Sequence, residues 1–247
     1  MPQSRRWLVA HLSGLHLDGT PDAMARALAV ANYLTSSQPV LDAVVITGDI
    51  ADRDEPAVRR QVGNFADALP VDIPVAWCSG NADFAGAGAF ARSLTHAELS
   101  EGLRIVPVDN DPAGALTLDP TAVNRAHEVL RALPADARVL LAVHVPPAPL
   151  HGSVQDQLLS HERSALDDLA RHQSVIAVLA GHTHTATVGS IEGKPLLIAP
   201  GVRSAGRLPH LEVADVGDRL LDIEAPPALF LHSVVGRTIS SYVRHVV

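Results

Sequence analysis

Cysteine, aromatic residues and long apolar runs are scarce in this sequence. Its one cysteine, Cys78, excludes an internal disulfide, and we expect this thiol to lie buried in a strand. Aromatics make up 3 % of the 247 residues, which predicts a core of Ala, Val, Leu and Ile. No apolar run spans a bilayer, and the run at 7–10 is too short for a signal segment. The formal charge of −8 disfavours partnership with nucleic acid or an anionic membrane. We therefore expect a cytoplasmic protein.

Short apolar runs alternate with helical spacing along most of the chain. This pattern predicts strands at 5–13, 43–47, 74–78, 103–108, 139–143 and 175–180, and helices at 21–37, 56–69, 120–133 and 161–172. The β-α-β order indicates α/β class, with parallel strands joined by right-handed crossovers. Later apolar runs without helices predict an antiparallel finish at 187–191, 195–198, 229–235 and 238–247. Without a linker or repeat, residues 1–247 are predicted to form a single domain.

Residues that commonly bind metals follow five of these apolar runs. The segments are Ser13-Gly14-Leu15-His16, Gly48-Asp49, Gly80-Asn81-Ala82-Asp83, His144 and Gly181-His182-Thr183-His184. Each lies at the carboxyl end of a predicted strand, which is where ligands bind in open α/β sheets. In the last segment two imidazoles occupy alternate positions, so both could reach one metal centre. The ordered set is far more specific than any of its members.

Together these segments resemble the signature of the calcineurin-like metallophosphoesterases, nearest to bacterial members that include class III cyclic-nucleotide phosphodiesterases. The resemblance implies a four-layer α-β-β-α sandwich that hydrolyses phosphomono- or phosphodiesters with two divalent cations. It implies that Asp49 bridges both cations, that Asn81, His144 and His182 complete the second site, and that His16 and His184 belong to the first. Mixed nitrogen and oxygen ligands suit Mn, Fe, Zn or Co. The implied partner is a small phosphate ester.

Two positions depart from that signature. Gly14 stands where the family has an aspartate ligand, and Ala82 stands where it has the catalytic histidine. We therefore expect one tight and one weak cation site. Loss of general-acid assistance is typically worth about 10²–10⁴-fold in rate. Asp83, which orients that histidine in the family, is a candidate supporting residue that lacks its partner here.

These departures leave more than one functional interpretation open. The first is an enzyme with weakened or altered activity, for which Gly14→Asp with Ala82→His is expected to raise turnover. The second is a repurposed or inactive member that binds one metal and a ligand or partner, or catalyses a different reaction. Substitutions introduced to trap a ligand are a third.

Several polar residues near the motifs have ordinary alternative roles. His11 could turn toward the gap at Gly14, or bond to backbone at its strand end. His151 could line the pocket in a loop at 145–153, a second loop being expected at 85–88. Arg203 could face an anion or solvent. The other histidines are predicted at the surface or in loops: His96, His127, His161, His172, His210, His232 and His245.

Overall fold

A computed structural model describes residues 5–36, 40–83, 93–94, 97–99, 102–113, 116–149, 159–160, 163–207 and 220–247. Its helices are α1 (Pro21–Ser36), α2 (Pro56–Ala68), α3 (Pro120–Ala132) and α4 (Arg163–Arg171). Its strands are β1 (Arg6–Leu12), β2 (Ala43–Thr47), β3 (Val75–Cys78), β4 (Ser93–Leu94), β5 (Ala97–Glu98), β6 (Leu103–Pro107), β7 (Arg138–Ala142), β8 (Val175–Ala180), β9 (Thr187–Ile191), β10 (Lys194–Ile198), β11 (Ala205–Gly206), β12 (Leu221–Asp222), β13 (Ala228–Val235) and β14 (Thr238–His245).

The described strands form two six-stranded sheets and a two-stranded sheet of β11 and β12. Sheet one has the order β14-β13-β1-β2-β3-β4, and sheet two has the order β5-β6-β7-β8-β10-β9. Strands β1, β2 and β3 are parallel, and so are β6, β7, β8 and β10. The predicted antiparallel finish is present in part. Strand β9 pairs with β10, β13 with β1 and β14 with β13 in that sense, whereas β10 also pairs in parallel with β8. The pairing of β11 with β12 was not predicted from the sequence.

Three apolar clusters separate the layers. Helices α1 and α2 cover sheet one, where Phe65 packs in a cluster with Ile46. Helices α3 and α4 cover sheet two through a cluster that includes Leu130. Between the sheets lies a third cluster, built largely of Val, Ala and Leu with Trp7 as its one large aromatic. This is the predicted four-layer α-β-β-α arrangement, and it leaves the carboxyl ends of the parallel strands free to build a site.

The burial of some polar residues shows which of the predictions from the sequence are wrong. The prediction that His232 lies at the surface is wrong, because it is fully buried in β13. His11 bonds to the side chains of His232 and Thr47 rather than to backbone. Cys78 is buried in β3 as predicted, and burial raises the pKa of its thiol. Predictions for His96, His151, His161, His210 and the loop at 85–88 lie outside the described residues. No helix in the described part is long and apolar enough to cross a membrane.

Candidate metal centre

Side chains from five strand ends meet at the carboxyl edge of the two sheets. Two groups of ligand atoms form there, each with its atoms within 4.8 Å of one another, and both contain Asp49. We call His16, Asp49 and His184 the first set, and Asp49, Asn81, His144 and His182 the second set. Asn81 joins the second set through its amide oxygen, which contacts His144. Every residue predicted as a metal ligand therefore reaches this one place.

The second set is centred on His144, which is fully buried. Its Nε2 lies 3.3 Å from Asp49 Oδ1, 3.0 Å from Asn81 Oδ1 and 3.1 Å from His182 Nδ1. Its Nδ1 lies 2.8 Å from the carbonyl oxygen of Thr47. Because a carbonyl only accepts, Nδ1–H is the donor, and Nε2 faces the second set, where its lone pair can bind a cation when it carries no proton.

The first set is built from two imidazoles and the shared carboxylate. His16 Nε2 lies 3.1 Å from His184 Nε2 and 3.4 Å from Asp49 Oδ2. The far nitrogen of His184 lies 2.8 Å from Ser204 Oγ, and that of His16 bonds to Asp52. Sequence reasoning missed both supporting residues. Asp52 lies three positions after Asp49 on one loop, which was an available signal, whereas Ser204 had none.

This arrangement fits a divalent cation. Metal-binding histidines usually donate their other ring N–H to an acceptor, which fixes the ring and its tautomer. Here His16, His144 and His184 each have the far nitrogen bonded in that way. Two ligands that each bind one cation at about 2.1 Å lie about 3.0–3.4 Å apart in octahedral or tetrahedral geometry. The distances from His144 Nε2 and from His16 Nε2 to the other inward atoms given above fall in this range.

The charges of the site agree with that interpretation. Burial by itself would raise the pKa of Asp49, but His144 and His16 hold it well below its usual range, so the carboxylate is ionised. Burial and the proximity of His16 lower the pKa of His184 to about 3, so its ring is neutral. Burial opposes charge on His144, yet Asp49 raises its pKa. Protons therefore compete with a cation for this ring.

Four ligands have left-handed backbone, which is unusual for residues other than glycine. The φ angles are 45° at His16, 54° at Asp49, 69° at His182 and 54° at His184. Each follows a strand, where the sharp change of direction turns its side chain toward the other strand ends. Such conformations cost about 1–3 kcal/mol each and cluster at functional sites. The geometry of these residues is thus maintained against local backbone preference.

Gly14 is closely covered by the ring of His184. A Cβ built on Gly14 would lie 2.3 Å from His184 Nε2, and its φ of +58° is itself unfavourable for a side chain. The imidazole therefore fills the space that a residue larger than glycine would need. This geometry argues against the expectation that Gly14→Asp rebuilds the first set, because His184 would have to leave its bond to Ser204.

Asp83 joins the loops that follow β2 and β3. Its carboxylate accepts hydrogen bonds from the backbone N–H groups of Ile50, Ala51 and Gly80, at 2.7, 2.9 and 2.8 Å. Burial, reinforced by Asp49, raises the pKa of Asp83 to about 6. With Ala82 in place of a histidine, Asp83 still has three backbone partners. Its position supports a role in holding the site together.

Two other candidates have partners that limit their roles. Arg203 forms an ion pair with Asp22, so its charge is already balanced in part. Its backbone N–H donates to the carbonyl of Gly14 at 2.9 Å, which fixes the loop beside the first set. His11 points to His232 and Thr47, and in this arrangement it does not fill the gap at Gly14.

The chain belongs to the calcineurin-like phosphoesterase family, whose model matches residues 8–186. Two curated proteins are similar to this chain. One is a probable cyclic nucleotide phosphodiesterase of Rhodococcus erythropolis, 28 % identical over 217 residues, covering 80 % of this chain and 71 % of the relative. The other is a cAMP/cGMP dual specificity phosphodiesterase of Mycobacterium tuberculosis, 28 % identical over 275 residues, covering 96 % and 83 %. The predicted resemblance and the preference for an enzyme of the hydrolase class are confirmed.

Solved structures support the same fold. A Thermus thermophilus protein superposes with a TM-score of 0.64 at 10 % identity, covering 98 % of this chain and 100 % of that one. Phosphopantetheinyl hydrolase from Mycobacterium tuberculosis has a TM-score of 0.55 at 12 % identity, covering 81 % and 92 %. An anchor in the inner membrane complex of Plasmodium has a TM-score of 0.60 at 13 % identity, covering 98 % and 88 %.

Proposed function

We propose that this protein is a divalent-cation-dependent phosphodiesterase that acts slowly on small phosphodiesters of the cyclic-nucleotide class. The observation that supports this most is the complete second set, with the His144 ring held by the Thr47 carbonyl and its Nε2 directed at Asp49. The names of the two curated relatives supply the substrate class. Family membership supports the requirement for a divalent cation, and we propose one tight cation at the second set.

The residues of the second set would supply different kinds of ligand to a cation. When bound, a divalent cation would polarise a phosphoryl oxygen and lower the pKa of a water molecule. Asp49 supplies the negative charge, and the backbone N–H of Ala82 donates to its Oδ1 at 3.0 Å and orients it. Asn81 supplies a neutral oxygen, and His144 and His182 supply imidazole nitrogens. Mixed ligands of this kind suit Mn, Fe, Zn or Co.

Two features lower the expected rate. Ala82 offers no proton to a leaving group, and general-acid assistance is typically worth about 10²–10⁴-fold. Gly14 contributes no carboxylate, so the first set holds a cation with His16, His184 and the shared Asp49 alone. Substrates with good leaving groups suffer less from the first loss. We therefore expect an activated aryl diester to be hydrolysed faster than a cyclic nucleotide.

Turnover of bis-(4-nitrophenyl) phosphate and of cyclic AMP, with Mn²⁺ and with chelator, tests this proposal. The expected result is slow, Mn²⁺-dependent release of 4-nitrophenol, slower hydrolysis of cyclic AMP and loss of both on chelation. Asp49→Asn provides the control for a contaminating phosphodiesterase, since it removes the shared negative charge at constant size. Turnover that survives both chelator and Asp49→Asn would contradict the proposal.

A second candidate function is favoured by the closeness of Gly14 and His184. If the ring of His184 keeps any further ligand from position 14, the first set has too few ligands to hold a cation, and the protein binds one cation and an anionic ligand or partner without hydrolysis. Tight binding of Mn²⁺, with protection of cyclic AMP from hydrolysis and no turnover of either diester, would favour this second function. Under both proposals residues 1–247 act as a single domain.

A further inference from the structure

A chain of buried hydrogen bonds runs across sheet one toward the candidate metal centre. Ser241 Oγ lies 2.8 Å from His232 Nδ1, and His232 Nε2 lies 3.0 Å from His11 Nδ1. His11 Nε2 lies 2.9 Å from Thr47 Oγ1, which lies 3.3 Å from the carbonyl oxygen of Leu12. The chain thus crosses four neighbouring strands, β14, β13, β1 and β2. Its bond between His11 and His232 is buried and joins residues 221 positions apart, whereas its outer bond to Ser241 is partly buried.

The direction of every bond in this chain follows from its last acceptor. The carbonyl of Leu12 can only accept, so the Thr47 hydroxyl donates to it and accepts from His11 Nε2–H. His11 Nδ1 then accepts from His232 Nε2–H, and His232 Nδ1 accepts from the hydroxyl of Ser241. Both rings are neutral in this arrangement and both carry their proton on Nε2. Burial lowers the pKa of both histidines, which agrees with neutral rings.

Thr47 connects this chain to the second set. Its carbonyl oxygen accepts from His144 Nδ1 at 2.8 Å and from Ser13 Oγ at 2.8 Å. Thr47 is the last residue of β2, so its orientation depends on its pairing with Cys78 in β3, on its side-chain bonds and on the loop that follows. A Thr47 hydroxyl fixed from His11 keeps the peptide carbonyl aimed at His144. The ring of His144 then presents Nε2 to Asp49.

We infer that His11 and His232 are positioning residues, which fix His144 as an Nε2 metal ligand through Thr47. The inference rests on the metal centre of the proposed function and gives the C-terminal hairpin a part in it. The hairpin of β13 and β14 adds two strands to sheet one, and His232 is its buried polar contact with β1. Polar partners behind metal-binding histidines typically change affinity about 10–100-fold. Because His232 acts through two intermediates, we expect the lower end of that range.

Substitution of His232 tests this inference with Co²⁺ as the probe. His232→Leu removes the donor to His11 Nδ1, whereas His232→Gln places an amide N–H near the position of Nε2. Calorimetric titration with Co²⁺ should give about tenfold weaker binding for His232→Leu and nearly parental binding for His232→Gln. Phe65→Leu is the control for lost stability, since Phe65 is buried in a different cluster and does not contact the chain. It should lower the melting temperature without changing the affinity for Co²⁺.

Ring ¹⁵N spectra of the metal-free protein, recorded at alkaline pH so that the His144 ring is neutral, provide a second readout that does not depend on activity. The expected result is a proton on Nε2 of His11 and His232 and on Nδ1 of His144, with mixed His144 tautomers in His232→Leu. Unchanged His144 tautomers and unchanged Co²⁺ affinity in His232→Leu would overturn the inference. Equal loss of affinity in Phe65→Leu would also overturn it. Parental protein that binds Co²⁺ but hydrolyses no diester contradicts only the proposed function, and the spectra decide the positioning role even if no Co²⁺ binds.

Discussion

The second set and the first set share Asp49 but are supported in different ways. In the second set four protein ligands converge, and the central ring of His144 is held by backbone that is itself tied into the core. In the first set His184 is hydrogen-bonded to Ser204, and His16 is bonded to Asp52, which is partly exposed. A glycine lies where a ligand is expected, and the ring of His184 covers it. The comparison teaches that two ligand sets which share one carboxylate can differ in the number of their ligands and in how firmly those ligands are held.

Substitution of the shared carboxylate should affect both sets at once. Asp49→Ala is expected to abolish retention of divalent cation and to lower turnover by about 10³-fold, since the cation contributes several kcal/mol to catalysis. Elemental analysis after dialysis and assays with Mn²⁺ measure the two effects. His127→Ala, on α3 and away from the site, is the matched control and should change neither. Retention of a full equivalent of metal by Asp49→Ala would show that the ligand assignment is wrong.

Two substitutions within one segment compare the sets directly. His182→Ala removes a ligand of the second set and is expected to weaken Co²⁺ binding by about 100-fold or more. His184→Ala, two positions later, removes a ligand of the first set and is expected to weaken the tight site about tenfold at most. Titration calorimetry of both variants measures the difference. A larger loss for His184→Ala would reverse the comparison and assign the tight site to the first set.

Ala82→His tests whether the slow turnover that we propose is due to the missing histidine. We expect turnover of cyclic AMP to rise about tenfold or more, because a proton donor returns near the leaving group. Turnover of the aryl diester should change less, since its leaving group needs little protonation. Ala82→Phe, which adds a ring without a proton, is the control. An equal gain in Ala82→Phe would mean that bulk, rather than acid catalysis, is responsible.

Gly14→Ala measures how firmly the ring of His184 excludes a side chain at position 14. We expect the free energy of unfolding to fall by about 3 kcal/mol, combining a left-handed residue with overpacking. Gly193→Ala is the matched control, because Gly193 has a φ of +72° but nothing within 4 Å of its Cβ position. That control should lose only about 1 kcal/mol. Equal losses in urea unfolding would show that the ring of His184 gives way easily, and that Gly14→Asp can rebuild the site.

The buried histidine chain predicts a dependence of stability on pH. Burial lowers the pKa of His232 to about 3 in the folded protein, below its unfolded value. The unfolded chain therefore binds more protons as the pH falls, and folding stability decreases. From about pH 7.5 to about pH 5 the loss from His232 alone is about 2 kcal/mol. Urea unfolding with chelator should show that His232→Gln loses less stability between these pH values than the parental protein. Identical pH profiles of stability in the two proteins would contradict the assignment of this loss to His232.

Local pattern and chain order predicted much of this molecule. Alternation of strands and helices predicted the parallel strands, and motif positions at strand ends predicted the convergence of Asp49 and His144. The support behind these ligands was not predictable in the same way. His232 reaches His11 only because β13 pairs with β1, a long-range antiparallel contact whose register no local pattern reveals. The position of the His184 ring against Gly14 likewise depends on the backbone angles of both residues and on the hydrogen bond from His184 to Ser204.

The left-handed backbone of His16, Asp49, His182 and His184 has a consequence for the lifetime of the protein. A typical domain is stable by only about 5–15 kcal/mol, and four such residues oppose folding by a sizeable fraction of that margin. A ligand that binds only the folded state offsets this opposition in proportion to its concentration. Cells triage unfolded chains continuously, so a small change in stability alters abundance several-fold. If this protein binds a divalent cation as we propose, scarcity of that cation would reduce the number of molecules present as well as the proposed activity of each one.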